Sequence, residues 1–177
     1  MLRLNSQFQF NSFAWIKNVG WTLSCLLLAF ISGCSTVNGS GKTLGLDTDL
    51  KIVFRTANDI NPDERNHPSP VFIRLYELKS PLLFHQADFM TLYAKDKATL
   101  DADFVAKREL KRFIPGESRE ERFVLNPATK YVALYAEFFQ YQNANYKVVF
   151  EVTPGNFVRN QVQLDLTGNH IVLSPKK

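Results

Sequence analysis

The chain has 177 residues, 45% hydrophobic and 21% charged, with 21 Lys and Arg against 17 Asp and Glu for a formal net charge of +4. Two of those positive charges, Arg3 and Lys17, lie in a leader with no acidic residue, so the remainder is only +2, which removes the case for a strongly basic nucleic-acid binder. With three His and two Cys in all, a metal or redox centre would need distant residues to converge, and no spacing supports one.

The leader comes first. Trp21 to Ile31 is an apolar run of eleven residues, whereas crossing the hydrocarbon of a bilayer takes about 20. It ends in Ile31-Ser32-Gly33-Cys34, which resembles the lipobox of bacterial lipoproteins: an apolar residue at minus three and small residues at minus two and minus one let a signal peptidase reach the backbone. An ordinary secretory site is the alternative, and it would leave Cys34 as an unexplained thiol. On the lipobox reading, residues 1–33 are a signal peptide and Cys34 is the lipidated first residue of the mature protein. Each buried acyl CH₂ contributes about 0.8 kcal/mol, so two or three chains hold a protein permanently on a membrane. Cys25 departs with the signal, so neither a disulfide nor a Cys-ligated metal is expected in the mature domain.

Residues 34–46 follow as a Gly-, Ser- and Thr-rich linker. Within it, Gly41-Lys42-Thr43 imitates the end of a phosphate-binding loop, but Thr36 stands where the first glycine belongs and no strand precedes it. The domain is read as residues 47–177. Leu50, Ile52 and Phe54 alternate with Lys51 and Arg55, and Val71, Ile73 and Leu75 repeat the period, predicting two strands, the second ending near Lys79. Between them Asn58 to Pro70 is polar and holds three prolines, which cannot continue either strand.

Ser80-Pro81 reads as an N-cap and first helical residue, and Leu83, Ala87, Met90 and Ala94 follow at helical spacing, predicting one helix over residues 81–95. Residues 96–106 are ambiguous, and alternation resumes at Arg108, Leu110, Arg112 and Ile114 before the Pro115-Gly116 turn. Five more strands are predicted at Arg119–Leu125, Lys130–Gln140, Tyr146–Val152, Phe157–Leu166 and His170–Leu173, separated by turn formers of hairpin length. Short strands so closely spaced indicate an all-β, two-sheet sandwich with a short helical insertion after the second strand.

The search for chemistry returns little. His67, His85 and His170 are read as a loop, a helix-surface and a strand-edge residue, and Ser118 lacks the surroundings of a nucleophile elbow. The carboxylates near Asp101 and Glu117 alternate with Lys107, Arg108, Arg119 and Arg122 and are read as solvated faces. Phe138 continues the Val132, Leu134, Ala136 face, and Phe139 and Tyr141 the Tyr131, Ala133, Tyr135 face. This is expected of a central strand covered on both sides or of one edge of a protein interface; a stacking platform for a ligand is the lesser reading. No enzyme activity, cofactor, metal or small-molecule substrate is therefore expected.

Taken in order, Pro70-Val71, Arg74-Leu75-Tyr76, Leu78, Phe84, Ala87-Asp88-Phe89, Leu92-Tyr93, Asp96, Leu100, Pro115-Gly116-Glu117, Tyr131-Val132 and Ala136-Glu137-Phe138 resemble the type VI secretion outer-membrane lipoprotein family, TssJ or SciN. Tyr146-Lys147 departs from it, a Trp being expected before the basic residue. The resemblance implies a transthyretin-like sandwich, a lipid anchor in the outer membrane with the domain in the periplasm, and docking on the periplasmic part of an inner-membrane TssM-like protein. Ser35, after the lipidated cysteine, agrees with outer-membrane transport. The partner-binding loop it implies is Asn58 to Pro70, with Asp59, Ile60, Asn61, Pro62, Asp63, Glu64 and Arg65 as contact residues, Ile60 supplying the apolar one. An assembly or pilotin-like lipoprotein of another secretion system, and a periplasmic small-ligand carrier, are the alternatives.

Overall fold

The alternating residues of the first predicted strand form β1 (Thr48–Thr56), where Leu50, Ile52 and Phe54 are buried while Asp49 and Arg55 face water. This is a computed structural model that describes residues 48–155 and 160–175. The expected signal peptide, Cys34 and the expected linker to Leu46 lie outside the described residues. The other strands are β2 (Ile73–Leu78), β3 (Phe104–Glu109), β4 (Ser118–Leu125), β5 (Tyr131–Ala136), β6 (Lys147–Glu151), β7 (Asn160–Thr167) and β8 (His170–Leu173). They make two four-stranded sheets, ordered β4-β1-β7-β8 and β3-β2-β5-β6. All pairings are antiparallel except β1 with β7, where Leu50 lies opposite Asn160 and Thr56 opposite Leu166.

Between the sheets lies the main core. Leu50, Ile52 and Phe54 of β1, Phe123 and Leu125 of β4, Leu164 and Leu166 of β7 and Ile171 of β8 pack with Ile73 and Leu75 of β2 and Val132, Leu134 and Ala136 of β5. The second sheet is also covered on its far side, where Tyr76, Leu78, Ala133 and Tyr135 meet the helical insertion through Phe84, Phe89, Leu92 and Leu100. That double covering is why β5 reads as apolar at every position. The far face of the first sheet, by contrast, carries Lys51, Glu120 and Arg122, joined by ion pairs of 2.6 and 2.8 Å.

Several predicted boundaries differ. The single helix over 81–95 is two, α1 (Leu82–Gln86) and α2 (Phe89–Leu100). Ala87 is extended between them and Asp88 caps α2, its carboxylate accepting from the Thr91 N–H at 2.8 Å. A fresh N-cap inside an apolar-periodic run looks like any polar position on a helix face, so the break is not visible as a change of period. Met90 and Ala94, read at helical spacing with Leu83 and Ala87, are exposed, and Leu92 and Leu100 are buried instead. The strand sought at 108–114 is β3, residues 104–109, because the turn at Asp101 delivers the chain to β2 before the alternation around Leu110. Lys130–Gln140 is a strand only to Ala136.

Candidate functional site

β1 enters the sandwich at Thr48 and leaves at Thr56, about 26 Å on at the usual strand rise. The loop that follows therefore lies at the opposite end from the chain's entry into the strand. Register brings three other connections to the same end: the close of β5 lies opposite the start of β2, as Ala136 with Ile73, the close of β7 opposite the end of β1, and the start of β4 opposite the end of β1, as Ser118 with Arg55. The β1–β2, β3–β4, β5–β6 and β7–β8 connections thus cluster together.

Asn61 joins the β1–β2, β5–β6 and β7–β8 connections. It is 2% exposed, with φ of +47°, a left-handed conformation that Asn tolerates better than most residues. Its N–H donates to the Gly168 carbonyl at 2.7 Å, its amide nitrogen to the Pro70 carbonyl at 2.8 Å, and its amide oxygen accepts from the Phe139 N–H at 2.8 Å. Gln140 Nε2 adds a bond to the Asp63 carbonyl at 2.8 Å, and Asn169 Nδ2 one to the Gln140 carbonyl at 3.2 Å. The tip is closed by Asp63, whose Oδ1 accepts from the N–H groups of Arg65 and His67, both at 2.8 Å. The His67 N–H bond, outweighing burial, with the Arg65 N–H and the His67 ring adding to it, holds the Asp63 carboxyl below its ordinary range. At the base, Gly116 has φ of +77°, and a Cβ there would stand 2.5 Å from Asn58 Oδ1, so any other residue would be strained and would displace the Asn58 side chain.

The seven predicted contact residues separate into two groups. Glu64 and Arg65 are exposed, Pro62 and Asp63 half-buried, and Asp59 is exposed with its carboxylate accepting from the Gly168 N–H at 3.3 Å. Ile60 is fully buried in the main core and Asn61 holds the loops, so neither offers a surface contact as expected. Hydropathy alone cannot separate an apolar loop residue that points at a partner from one that turns into the core. The structure also brings in residues from another part of the chain: a groove of about 510 Å³ is lined by Asp63, Glu64 and Arg65 with Phe139, Gln140 and Gln142. The apolar run from Tyr131 signalled Phe139, and its 65% exposure follows from the strand ending three residues earlier.

Tyr146-Lys147 has a different task. The Tyr146 ring meets Phe89 edge-on at 5.1 Å, and Lys147 Nζ donates to the carbonyls of Phe84, His85 and Ala87 at 3.1, 3.0 and 2.7 Å, capping α1. Burial pushes the Lys147 ammonium below its ordinary range. Among the described residues, no group of His, Cys, Asp and Glu could hold a metal ion, and no helix is long and apolar enough to cross a membrane. The arrangement is one of charged loops cross-linked by hydrogen bonds.

The family model of type VI secretion lipoproteins (T6SS-SciN; VasD, EvfM, TssJ) matches residues 48–169, from the first residue of β1 through the β7–β8 turn. The chain belongs to the type VI secretion lipoprotein family. A search of curated proteins gives no significant match. Among solved structures, the type VI lipoprotein TssJ1 from Pseudomonas aeruginosa is 28% identical, with a TM-score of 0.65 over 74% of this chain and 99% of that one. A chain of a type VI membrane complex is 25% identical, with a TM-score of 0.62 over 72% and 98%. The Lip protein of Serratia marcescens, a membrane-bound component of the type VI secretion system, is 16% identical and shows the fold alone, with a TM-score of 0.67 over 75% and 99%. The helical insertion against β2 and β5 therefore belongs to a type VI lipoprotein fold.

Proposed function

We propose that this type VI secretion lipoprotein is anchored in the outer membrane by lipid on Cys34, with residues 1–33 removed and residues 34–46 as its tether. The domain then faces the periplasm and holds the periplasmic part of an inner-membrane TssM-like protein through its β1–β2 loop. Membership of the family and likeness to a chain of a type VI membrane complex support the reading. The observation that carries it is the loop itself. Asp59, Pro62, Asp63, Glu64 and Arg65 are presented on a backbone pinned by Asn61 and Asp63, so little freedom remains to be lost when a partner docks.

Calorimetry with a purified TssM-like periplasmic domain tests it. Replacing the whole segment from Ile60 would remove a core residue and the Asn61 bonds, so the informative change is Glu64→Ala with Arg65→Ala. Affinity should fall at least about tenfold, or 1.4 kcal/mol, at unchanged melting temperature. Unchanged affinity would move the interface away from this loop.

A further inference from the structure

The ring of Phe139 is 65% exposed while its neighbour Phe138 is 2% exposed, and the backbone that presents it is bonded on both sides. Its own N–H donates to Asn61 Oδ1, and the next residue, Gln140, reaches the Asp63 carbonyl with its amide and accepts from Asn169 with its carbonyl. Resting on the reading that the β1–β2 loop holds a TssM-like partner, we propose that Phe139 is the apolar anchor of that same interface and that Asn61 is the positioning residue that sets it beside the charged loop.

An exposed apolar side chain alone needs no explanation. Here Phe139 lines one groove together with Asp63, Glu64 and Arg65. Large aromatic side chains surrounded by polar ones supply most of the binding free energy in protein interfaces, and holding them in place beforehand reduces the entropy lost on association. The charged loop has a sign as well. Asp59, Asp63 and Glu64 against Arg65 make the loop acidic, so the partner segment that fits presents an apolar side chain flanked by Lys or Arg. Asn61 couples the two halves, because one buried amide bonds the Pro70 carbonyl of the charged loop and the Phe139 N–H of the aromatic one.

The test uses the lipidated protein in detergent and the detergent-solubilised TssM-like protein, with affinity and melting temperature measured together. Phe139→Ala should weaken binding at least about tenfold without lowering the melting temperature, and Phe139→Leu should restore most of it. Asn61→Gly keeps the left-handed backbone but removes both side-chain bonds. It should weaken binding, and in its background the further effect of Phe139→Ala should shrink to less than about threefold, since an anchor no longer held in place contributes little. Full additivity of the two changes would overturn the positioning role. If Asn61→Gly fails to fold, Gln140→Ala takes its place in the cycle with the same expectation. Wild-type affinity in Phe139→Ala, with binding lost in Glu64→Ala/Arg65→Ala, overturns this inference and leaves the loop as the partner site. No binding by the wild-type protein overturns both.

Discussion

Ile60 is fully buried between polar neighbours because the chain, leaving β1, must turn back across the open end of the main core before it can reach β2. The next residue, Asn61, is buried for the opposite reason: three backbone groups from separate loops would otherwise be left without partners, and one amide meets two of them. Ile60 and Glu64 should therefore respond differently to truncation. Ile60→Ala should cost about 2 to 5 kcal/mol in urea unfolding, with the affinity of the folded protein for its partner little changed. Loss of affinity at constant stability would return Ile60 to the interface. Glu77 follows the same rule of burial with partners, its carboxylate accepting from Arg108, the Asn126 N–H and the Thr129 hydroxyl at 2.9, 2.7 and 2.8 Å.

At the level of elements, the helical insertion is the part that needs most help. Helices of five and twelve residues are marginal by themselves, and here they are fastened by side chains of the sheet beneath. Asp96 of α2 accepts from the Tyr76 hydroxyl at 2.8 Å and from Lys107 Nζ at 3.0 Å. Arg74 reaches the carbonyls of Leu92 and Tyr93 and pairs with Glu137 at 2.6 Å. Burial works against the charge on Asp96, but the bonds from Lys107 and Tyr76 outweigh it and hold the carboxyl below its ordinary 3.8. The sign for stability follows. A carboxyl depressed in the folded state stabilises fully above 3.8 and loses that contribution as pH falls through its lower folded value, where the unfolded chain has already taken its proton. Protection of the Leu92 and Tyr93 amides, measured against their intrinsic exchange rates, should stay constant from pH 7 to about 5 and fall below about 4. In Asp96→Asn that acid step should diminish. An identical step in the variant would assign it elsewhere.

At the scale of the described domain, two sheets and a helical layer display four loops at one end and receive β1 at the other. A lipid anchor upstream of Thr48 would leave the loop end free to meet a partner. Cys34→Ser should abolish labelling with palmitate and release the protein from the outer-membrane fraction, with the sandwich still folded. Undiminished label and unchanged fractionation would remove Cys34 as the attachment site.

Much of this architecture was legible in the residues. Period-two alternation marked β1, β2 and β4, turn formers marked their limits, and the double apolar face of β5 announced a strand covered on both sides, because a strand's own side chains record which faces are buried. The position of the charged loop was also readable, since three prolines exclude a continuing strand. What the residues could not show was which loop side chains turn inward, as Ile60 and Asn61 do, or that Phe139 shares a groove with residues more than 70 positions earlier. Nor did the helical period reveal that Asp88 starts a second helix whose buried face is Leu92 and Leu100. Those outcomes depend on contacts between segments distant in the chain. Local pattern determines which backbone can form, while the partners available to a buried amide or an apolar side chain exist only after the sheets have paired.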